Sequence, residues 1–431
     1  MPKIKLYKEF EPILILYYTV YMYKLYPYVT NDGSIGLFSP EVDDIYHSTH
    51  GALTEAYEKF ILPIDFKKYF SNNSEIKILD ICFGIGYNTK SFLNYFIENI
   101  YNYALDTDNT LNNDKIYSDN INPKIFIHAI DNDKNLLLIS PFFKTYIKNF
   151  KNYEPAFAES KIEKYRSKTV ISKYKLKKEV NYILLYKIAN LIDIDAELLL
   201  KDDNYFKYFD KLLIAFLSYL KNNKRPVSHF DSFLLFLHNI YYKYISRSHK
   251  NALKYLKNID FNFQTDIDDA RQVLLNDNIS YNFVFLDAFT PSKCPCLWTF
   301  DFIKLIFDHL EPGGIVLTYS SAANIRTAFL QAGFVIKKVY SESLKKYTGT
   351  VAIKPNNLSS DNFLNINIVH DLSEFDLGLL KTKAGIFYRD ENLNASNEAI
   401  IASHKKEVEK SDKISTTQFK KLVKFDKYCG I

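Results

Sequence analysis

The residues with the clearest chemical potential are two closely spaced glycines, Gly84 and Gly86. They follow an apolar stretch and precede a helical pattern, so the turn they form would let the backbone approach a ligand closely. A dinucleotide site would need a third small residue where this chain has Thr89, and a G-K-[ST] phosphate loop is absent. The turn and the flanking residues Asp80 and Asn88 are therefore predicted to bind a ligand through groups other than a phosphate. The alternative is a tight strand-to-helix turn that binds no ligand.

Acidic residues follow the later apolar stretches of the chain. Asp131 could accept both hydroxyls of a ribose, and Asp269 could accept the exocyclic amine of adenine. Asp287 follows a further buried stretch. If these stretches are parallel strands, their carboxyl ends meet at one edge of the sheet. The glycine turn and the three aspartates would then lie together and form a pocket for S-adenosylmethionine. Each aspartate taken alone could equally be an ordinary helix N-cap.

An α/β sheet is needed to bring these side chains together. Runs such as Tyr281–Leu286 lack strict alternation, which is typical of a strand covered on both faces. The predicted strands are 76–82, 124–130, 260–264, 281–286, 314–319, 334–340 and 350–354. We therefore predict a doubly wound parallel sheet, the Rossmann-like sheet of class I S-adenosylmethionine-dependent methyltransferases.

Additional segments flank and interrupt this sheet. A hairpin is predicted around the turn signal Asn31-Asp32-Gly33, and helical periodicity fills a long stretch between the second and third strands. The predicted domains are an N-terminal β-rich extension (1–75), a methyltransferase domain (76–134 and 259–355), a basic helical insertion (135–258) and a polar C-terminal tail (356–431), helical around 398–409.

The insertion carries an unusual charge. Residues 135–258 contain 23 Lys and Arg against 11 Asp and Glu, a net charge of +12, whereas the whole chain carries only +5. A polyanion such as RNA would be attracted to such a surface. The alternative is a solvated, lysine-rich helical face that reflects the coding bias of the gene.

Composition excludes several classes of protein. With 47% hydrophobic and 24% charged residues the chain is too apolar for disorder. Four cysteines without C-x-x-C spacing predict neither a disulfide framework nor a zinc site, and His47 and His50 lack companions for a metal site. No run approaches 18 apolar residues, so we expect no membrane span, no signal peptide and a cytoplasmic location.

Several segments resemble one enzyme family. They are Ser39–Glu55, Phe285–Thr299 with its FLDAF-x-P-x-K-x-P-x-LW form, Glu311–Gly314, Tyr319–Ala323 with Arg326, and Gly385–Asp390. Together they resemble the tRNA 5-methylaminomethyl-2-thiouridine methyltransferase family of the MnmC/MnmD type. The long basic insertion is not part of the common family pattern.

The resemblance implies methyl transfer from S-adenosylmethionine to the primary amine of 5-aminomethyl-(2-thio)uridine at the tRNA wobble position. Asp287 would accept a proton from the amine. Glu55, Lys293 and Trp298 would contact the substrate, Lys293 through phosphate and Trp298 by stacking on a base; a core or lid role is the alternative for Trp298.

The same resemblance indicates a stand-alone methyltransferase. This chain has no second glycine fingerprint for the flavin-dependent oxidase that some members carry, so a separate enzyme would supply the aminomethyl precursor. Two other functions stay open: a methyl- or aminopropyltransferase acting on a small-molecule amine, and a non-catalytic RNA-binding relative.

Overall fold

The computed structural model describes residues 26–39, 41–101, 123–133, 136–137, 140–142, 173–188, 245–356 and 363–423. The chain forms two compact units, one of residues 1–52 and 141–255 and the other of residues 53–140 and 256–431. Much of the predicted insertion, including the helical periodicity expected between 212 and 241, lies outside the described residues.

The smaller described element is a hairpin in the first unit. Strands β1 (Tyr26–Val29) and β2 (Ile35–Ser39) pair antiparallel, with Val29 opposite Ile35, and the short β3 (Asp44–Ile45) pairs with β2. The turn between β1 and β2 contains Gly33 at a positive φ of 81°, as the turn signal predicts. The predicted hairpin is confirmed.

The second unit is built on an eight-stranded sheet. Its strands are β4 (Glu75–Ile81), β5 (Lys124–Asp131), β6 (Asp260–Ile267), β7 (Tyr281–Leu286), β8 (Leu310–Thr318), β9 (Val335–Ser341), β10 (Lys346–Ile353) and β11 (Val369–Asp371). They lie in the order β11-β9-β10-β8-β7-β4-β5-β6. All seven predicted strands are present, most of them with ends that differ by a few residues.

The direction of the strands differs from the prediction at one side of the sheet. The strands β6, β5, β4, β7 and β8 pair in parallel, as predicted. Strand β10 is antiparallel to both β8 and β9, and β11 is antiparallel to β9. Only four residues separate β9 from β10, and a connection this short forces an antiparallel hairpin. The sheet is therefore mixed.

Eleven α-helices lie in the described part of the chain. The α-helices are α1 (Ala52–Ala56), α2 (Phe66–Asn72), α3 (Tyr87–Phe96), α4 (Lys178–Ile188), α5 (Ile245–Asn258), α6 (Ala270–Asn276), α7 (Phe300–Asp308), α8 (Ala323–Gln331), α9 (Glu374–Leu380), α10 (Asn397–Lys410) and α11 (Thr416–Leu422). In the described part of the chain, no helix combines the length and the apolar character that crossing a bilayer requires.

The C-terminal segment packs into the same core as the sheet. Leu380, Tyr388, Leu393 and Ile400 are buried in one cluster with Trp298 and its neighbours on α7 and α8. Helix α10 includes the stretch for which helical character was predicted. The segment expected to be a polar tail without a core of its own therefore supplies apolar side chains to the core of the second unit.

Candidate active site

The glycine turn at the end of β4 depends on residues that tolerate left-handed backbone. Cys82, Gly84 and Gly86 have φ values of 62°, 56° and 76°. A Cβ atom on Gly86 would lie 2.4 Å from the ring of Phe83 and 2.8 Å from the Ser140 hydroxyl oxygen. Glycine at position 86 is required both by conformation and by space, and helix α3 begins immediately after it.

Asp131, the last residue of β5, holds the glycine turn from the side. Its Oδ2 accepts the backbone N–H of Gly84 at 2.7 Å, and its Oδ1 accepts that of Asp133 at 2.9 Å. Burial raises the pKa of Asp131 to about 6. The backbone N–H of Asn132 also donates to this carboxylate. A carboxylate offers about four acceptor positions, so about one remains for a ligand such as a hydroxyl of a ribose.

Asp80, one residue before the end of β4, is completely buried. Its Oδ2 accepts the hydroxyl of Thr89 at 2.6 Å, whereas its Oδ1 has no hydrogen-bond partner among the described residues. Burial, reinforced by repulsion from Asp131, raises the pKa of Asp80 to about 7. A buried acceptor without a donor is costly, and a ligand that brings a donor or a positive charge relieves that cost.

Asp287 follows β7 directly and lies beside the glycine turn, which follows the neighbouring strand β4. Its Oδ2 accepts the side-chain amide of Asn88, on the first turn of α3, at 2.8 Å. The chain runs outward from β4 through β5 to β6 and returns on the other side at β7, so this bond spans the topological switch point of the sheet. Burial first, and repulsion from Glu55 second, raise the pKa of Asp287 to about 7.

The pocket bounded by these residues is acidic and suits a cationic ligand. Burial is the main cause of the raised pKa of Asp80, Asp131 and Asp287. Repulsion from neighbouring carboxylates adds to it: from Asp131 at Asp80, from Asp133 at Asp131, and from Glu55 and Asp80 at Asp287. S-adenosyl-L-methionine carries a sulfonium and an ammonium group, and its ribose presents two hydroxyl donors. Its charge and its donors therefore match the unsatisfied acceptors at this edge of the sheet.

Comparison with known proteins agrees with this geometry. A family model described as "S-adenosyl-L-methionine-dependent methyltransferase" matches residues 234–355. Residues 234–355 are therefore similar to a methyltransferase domain of this type. S-adenosyl-L-methionine is the cofactor of this chain, and its α/β fold is Rossmann-like.

Individual relatives are similar to parts of this chain. An uncharacterised protein of Methanocaldococcus jannaschii is 32% identical over 180 residues, which are 42% of this chain and 46% of that protein. The MnmC bifunctional protein of Delftia acidovorans, named for tRNA 5-methylaminomethyl-2-thiouridine biosynthesis, is 33% identical over 73 residues, 17% of this chain and 11% of its own length. This chain thus spans less than half the length of these relatives.

One solved structure matches nearly the whole chain. It is the crystal structure of MnmC2 from Aquifex aeolicus, with a TM-score of 0.51 and 19% identity, covering 94% of this chain and 92% of that one. At this identity the similarity concerns the fold.

Asp269 occupies a position that serves the methyltransferase fold. It is the N-cap of α6, and both its carboxylate oxygens accept hydrogen bonds from Arg271, the shortest at 2.6 Å. Arg271 also donates to Asp390 at 2.6 Å. The ordinary capping role that the sequence left open is therefore present, and binding of an adenine amine by Asp269 stays a prediction.

Trp298 has a different environment from the one a base-stacking residue needs. Its side chain is completely buried, packs edge-on against Tyr319 at a centroid distance of 5.8 Å, and donates its Nε1–H to the carbonyl of Phe289 at 2.8 Å. An indole enclosed on all sides offers no face to a base. In this structure Trp298 anchors the loop that follows Asp287, as the alternative core role predicted.

The other predicted substrate residues lie on either side of that loop. Lys293 is exposed in the turn before the short helix Pro295–Trp298, where a phosphate could reach it. Glu55 is on α1, mostly buried, and close enough to Asp287 to raise its pKa. The structure places Glu55 beside the candidate proton acceptor, and the substrate-binding role of both residues stays a prediction.

Sequence reasoning missed three residues that support the site. Thr89 binds Asp80, Tyr319 donates its hydroxyl hydrogen to the carbonyl of Ala288 at 2.9 Å, and Lys59 forms an ion pair with Glu55. Only the last could have been found, because Glu and Lys four residues apart on a helix are a recognised stabilising pair.

Proposed function

We propose that this protein transfers the methyl group of S-adenosyl-L-methionine to the primary amine of 5-aminomethyl-(2-thio)uridine at the wobble position of tRNA. The observation that carries the proposal is the Asn88–Asp287 hydrogen bond, which holds a carboxylate with a pKa of about 7 at the switch point. The names of the MnmC-type relatives and the FLDAF-to-LW segment supply the substrate.

The reaction asks the protein mainly for positioning and for removal of protons. The cofactor supplies an electrophilic methyl group, and in-line attack requires a neutral amine held about 3 Å from the methyl carbon. Asp287 accepts a hydrogen bond from the amine, directs its lone pair and takes one of its protons. Asn88 fixes the rotamer of Asp287 throughout.

The raised pKa of Asp287 supports this role. A carboxylate with an ordinary pKa near 4 is too weak a base to take a proton from an amine at neutral pH, whereas one with a pKa near 7 is matched to it. The repulsion among Asp287, Asp80 and Glu55 also favours binding of the substrate amine in its protonated form, and the amine attacks after Asp287 has taken that proton. An amine substrate satisfies both conditions.

The substrate RNA would be held by positive charge outside the pocket. We assign tRNA docking to the basic segment 135–258, whose net charge of +12 contrasts with a net charge of about −7 over the remaining chain. Lys293, exposed beside the site, would contact a phosphate near the wobble nucleotide.

The proposal is tested with purified protein, isotopically methyl-labelled S-adenosyl-L-methionine and tRNA isolated from cells that accumulate aminomethyl-uridine. Labelled 5-methylaminomethyl-(2-thio)uridine in the nuclease digest is the expected result, and Asp287→Asn should abolish most of it. Putrescine and spermidine are assayed in parallel. Label in a polyamine with none in tRNA would replace the tRNA proposal by a small-molecule one, and label in neither would overturn both.

A further inference from the structure

A buried lysine lies next to the proposed proton acceptor. Lys59 is 8% exposed and forms an ion pair with Glu55, whose side chain is 12% exposed. Two charges removed from water this far are rarely retained for stability alone, because their desolvation offsets most of the Coulomb attraction. The pair therefore calls for a role beyond holding a helix together.

An irregular helix turn places this pair at the site. Helix α1 continues into a π-helical turn, Tyr57–Ile61, in which the N–H of Leu62 bonds to the carbonyl of Tyr57 at 2.8 Å. Single π-helical turns are uncommon and occur often at functional sites. This one contains Lys59 and begins two residues after Glu55.

The ammonium group of Lys59 is also connected to the loop that carries Asp287. It lies 5.6 Å from the ring centroid of Tyr319, within the range of a cation–π interaction. The hydroxyl of Tyr319 in turn donates to the carbonyl of Ala288, the residue after Asp287. Lys59 thus contacts both the acidic neighbour of Asp287 and the residue that supports its loop.

We propose that Lys59 is a positioning residue that sets the charge state of Asp287, by keeping Glu55 paired and by placing a positive charge beside the methyl-transfer site. The inference rests on the proposed function for its use in catalysis. Among the described residues, the ionisable groups that interact with Asp287 include Glu55 on α1, Lys59 in the π-helical turn, Asp80 on β4 and Cys82 in the glycine turn.

The signs of the two charges make the inference specific. Glu55 raises the pKa of Asp287 and has the larger influence, whereas Lys59 lowers it. Lys59→Met should therefore raise the pKa of Asp287, and Glu55→Gln should lower it. In the double variant the pKa of Asp287 should lie between those of the two single variants. It should be slightly below the wild-type pKa, because the raising influence of Glu55 that is removed is larger than the lowering influence of Lys59.

The test measures the titration of Asp287 directly. Protein labelled with ¹³C at the aspartate carboxyl carbons is followed by NMR between pH 5 and pH 9, and Asp287→Asn assigns the resonance. We expect Lys59→Met to shift the midpoint upward by about one pH unit. Lys304→Met, which removes the lysine of the exposed Lys304–Asp308 pair with the same four-residue spacing, should leave it unchanged.

The pH profile of methyl transfer to tRNA then links the titration to catalysis. In Lys59→Met the acidic limb should move upward with the NMR midpoint, and Lys59→Arg should restore both. If Lys59→Met shifts the titration of Asp287 but the wild-type protein transfers no methyl group to tRNA, the proposed tRNA function is wrong and the inference about Lys59 is still supported. An unchanged titration midpoint of Asp287 in both folded single variants would overturn the inference. If a single variant fails to fold, the double variant provides the check, because it leaves neither Glu55 nor Lys59 as an unpaired buried charge.

Discussion

Asn88 and Asp287 are 199 residues apart in the sequence, and their side chains are 2.8 Å apart in the structure. Asn88 lies in the first turn of the helix that follows the glycine turn, and Asp287 directly follows the strand across the switch point. The bond therefore fixes the proposed proton acceptor relative to the turn that faces the cofactor. If the proposed function is right, this contact couples the position of the proton acceptor to that of the cofactor.

Replacement of Asp287 by asparagine should separate the two functions. The variant keeps the size of the side chain and removes the proton acceptor, so we expect turnover to fall by roughly a hundredfold or more. Affinity for S-adenosylhomocysteine, measured by calorimetry, should stay near that of wild type. Asp308→Asn, on the exposed end of α7, is the matched control; wild-type turnover in Asp287→Asn would remove Asp287 from the mechanism.

Loss of the Asp131 carboxylate should weaken cofactor binding. Asp131→Ala removes the acceptor proposed for the ribose and also releases the N–H of Gly84. We expect S-adenosylhomocysteine to bind about 1.5–3 kcal/mol more weakly, the scale of a hydrogen bond to a charged group. Calorimetric titration measures the change, and unchanged affinity would exclude Asp131 from the cofactor site.

The cofactor-free protein should become less stable as the pH rises from 6 to 8. Asp80 and Asp131 have folded-state pKa values of about 7 and 6, above the ordinary values near 4, so folding favours their protonated forms. That stabilisation is complete below the unfolded pKa and is lost as the pH rises through the folded pKa. Over this interval we expect a loss of about 1 kcal/mol from Asp80 and less than half as much from Asp131, which is already half ionised at pH 6.

Thermal melts at each pH, with and without S-adenosyl-L-methionine, check this dependence. Asp80→Asn should flatten the curve, and the cationic cofactor should oppose the loss because its charge favours the ionised carboxylates. A cofactor-free protein that is more stable at pH 8 than at pH 6 would contradict the buried, mutually repelling arrangement.

The basic segment should contribute to the binding of tRNA. Substitution of Lys173, Lys175, Lys177 and Lys178 by glutamine should raise the apparent Michaelis constant for tRNA and leave cofactor affinity unchanged. Binding should also depend less on salt. The slope of the logarithm of the binding constant against the logarithm of the salt concentration should become shallower by up to about 0.9 for each phosphate contact that is lost. Equal tRNA affinity and salt slope in the quadruple variant would favour the alternative, a solvated face that reflects coding bias.

The sequence by itself determined the parallel strands and the glycine turn. Buried parallel strands are continuous apolar runs, and Tyr281–Leu286 was predicted to the residue. Scarce glycines mark places where the backbone must be left-handed, so Gly84 and Gly86 could be identified locally. These features depend on residues near one another in the chain, and local pattern is sufficient to predict them.

The tertiary structure alone decided how the side chains meet. Nothing in the local sequence around Trp298 distinguishes an indole that stacks on a base from one enclosed in the core by the C-terminal segment. Nor does it pair Asn88 with Asp287, or bring Glu55 and Lys59 beside them. The pKa of Asp287 likewise depends on its burial and on charged side chains that come from separate strands and helices. Both are properties of the packed fold.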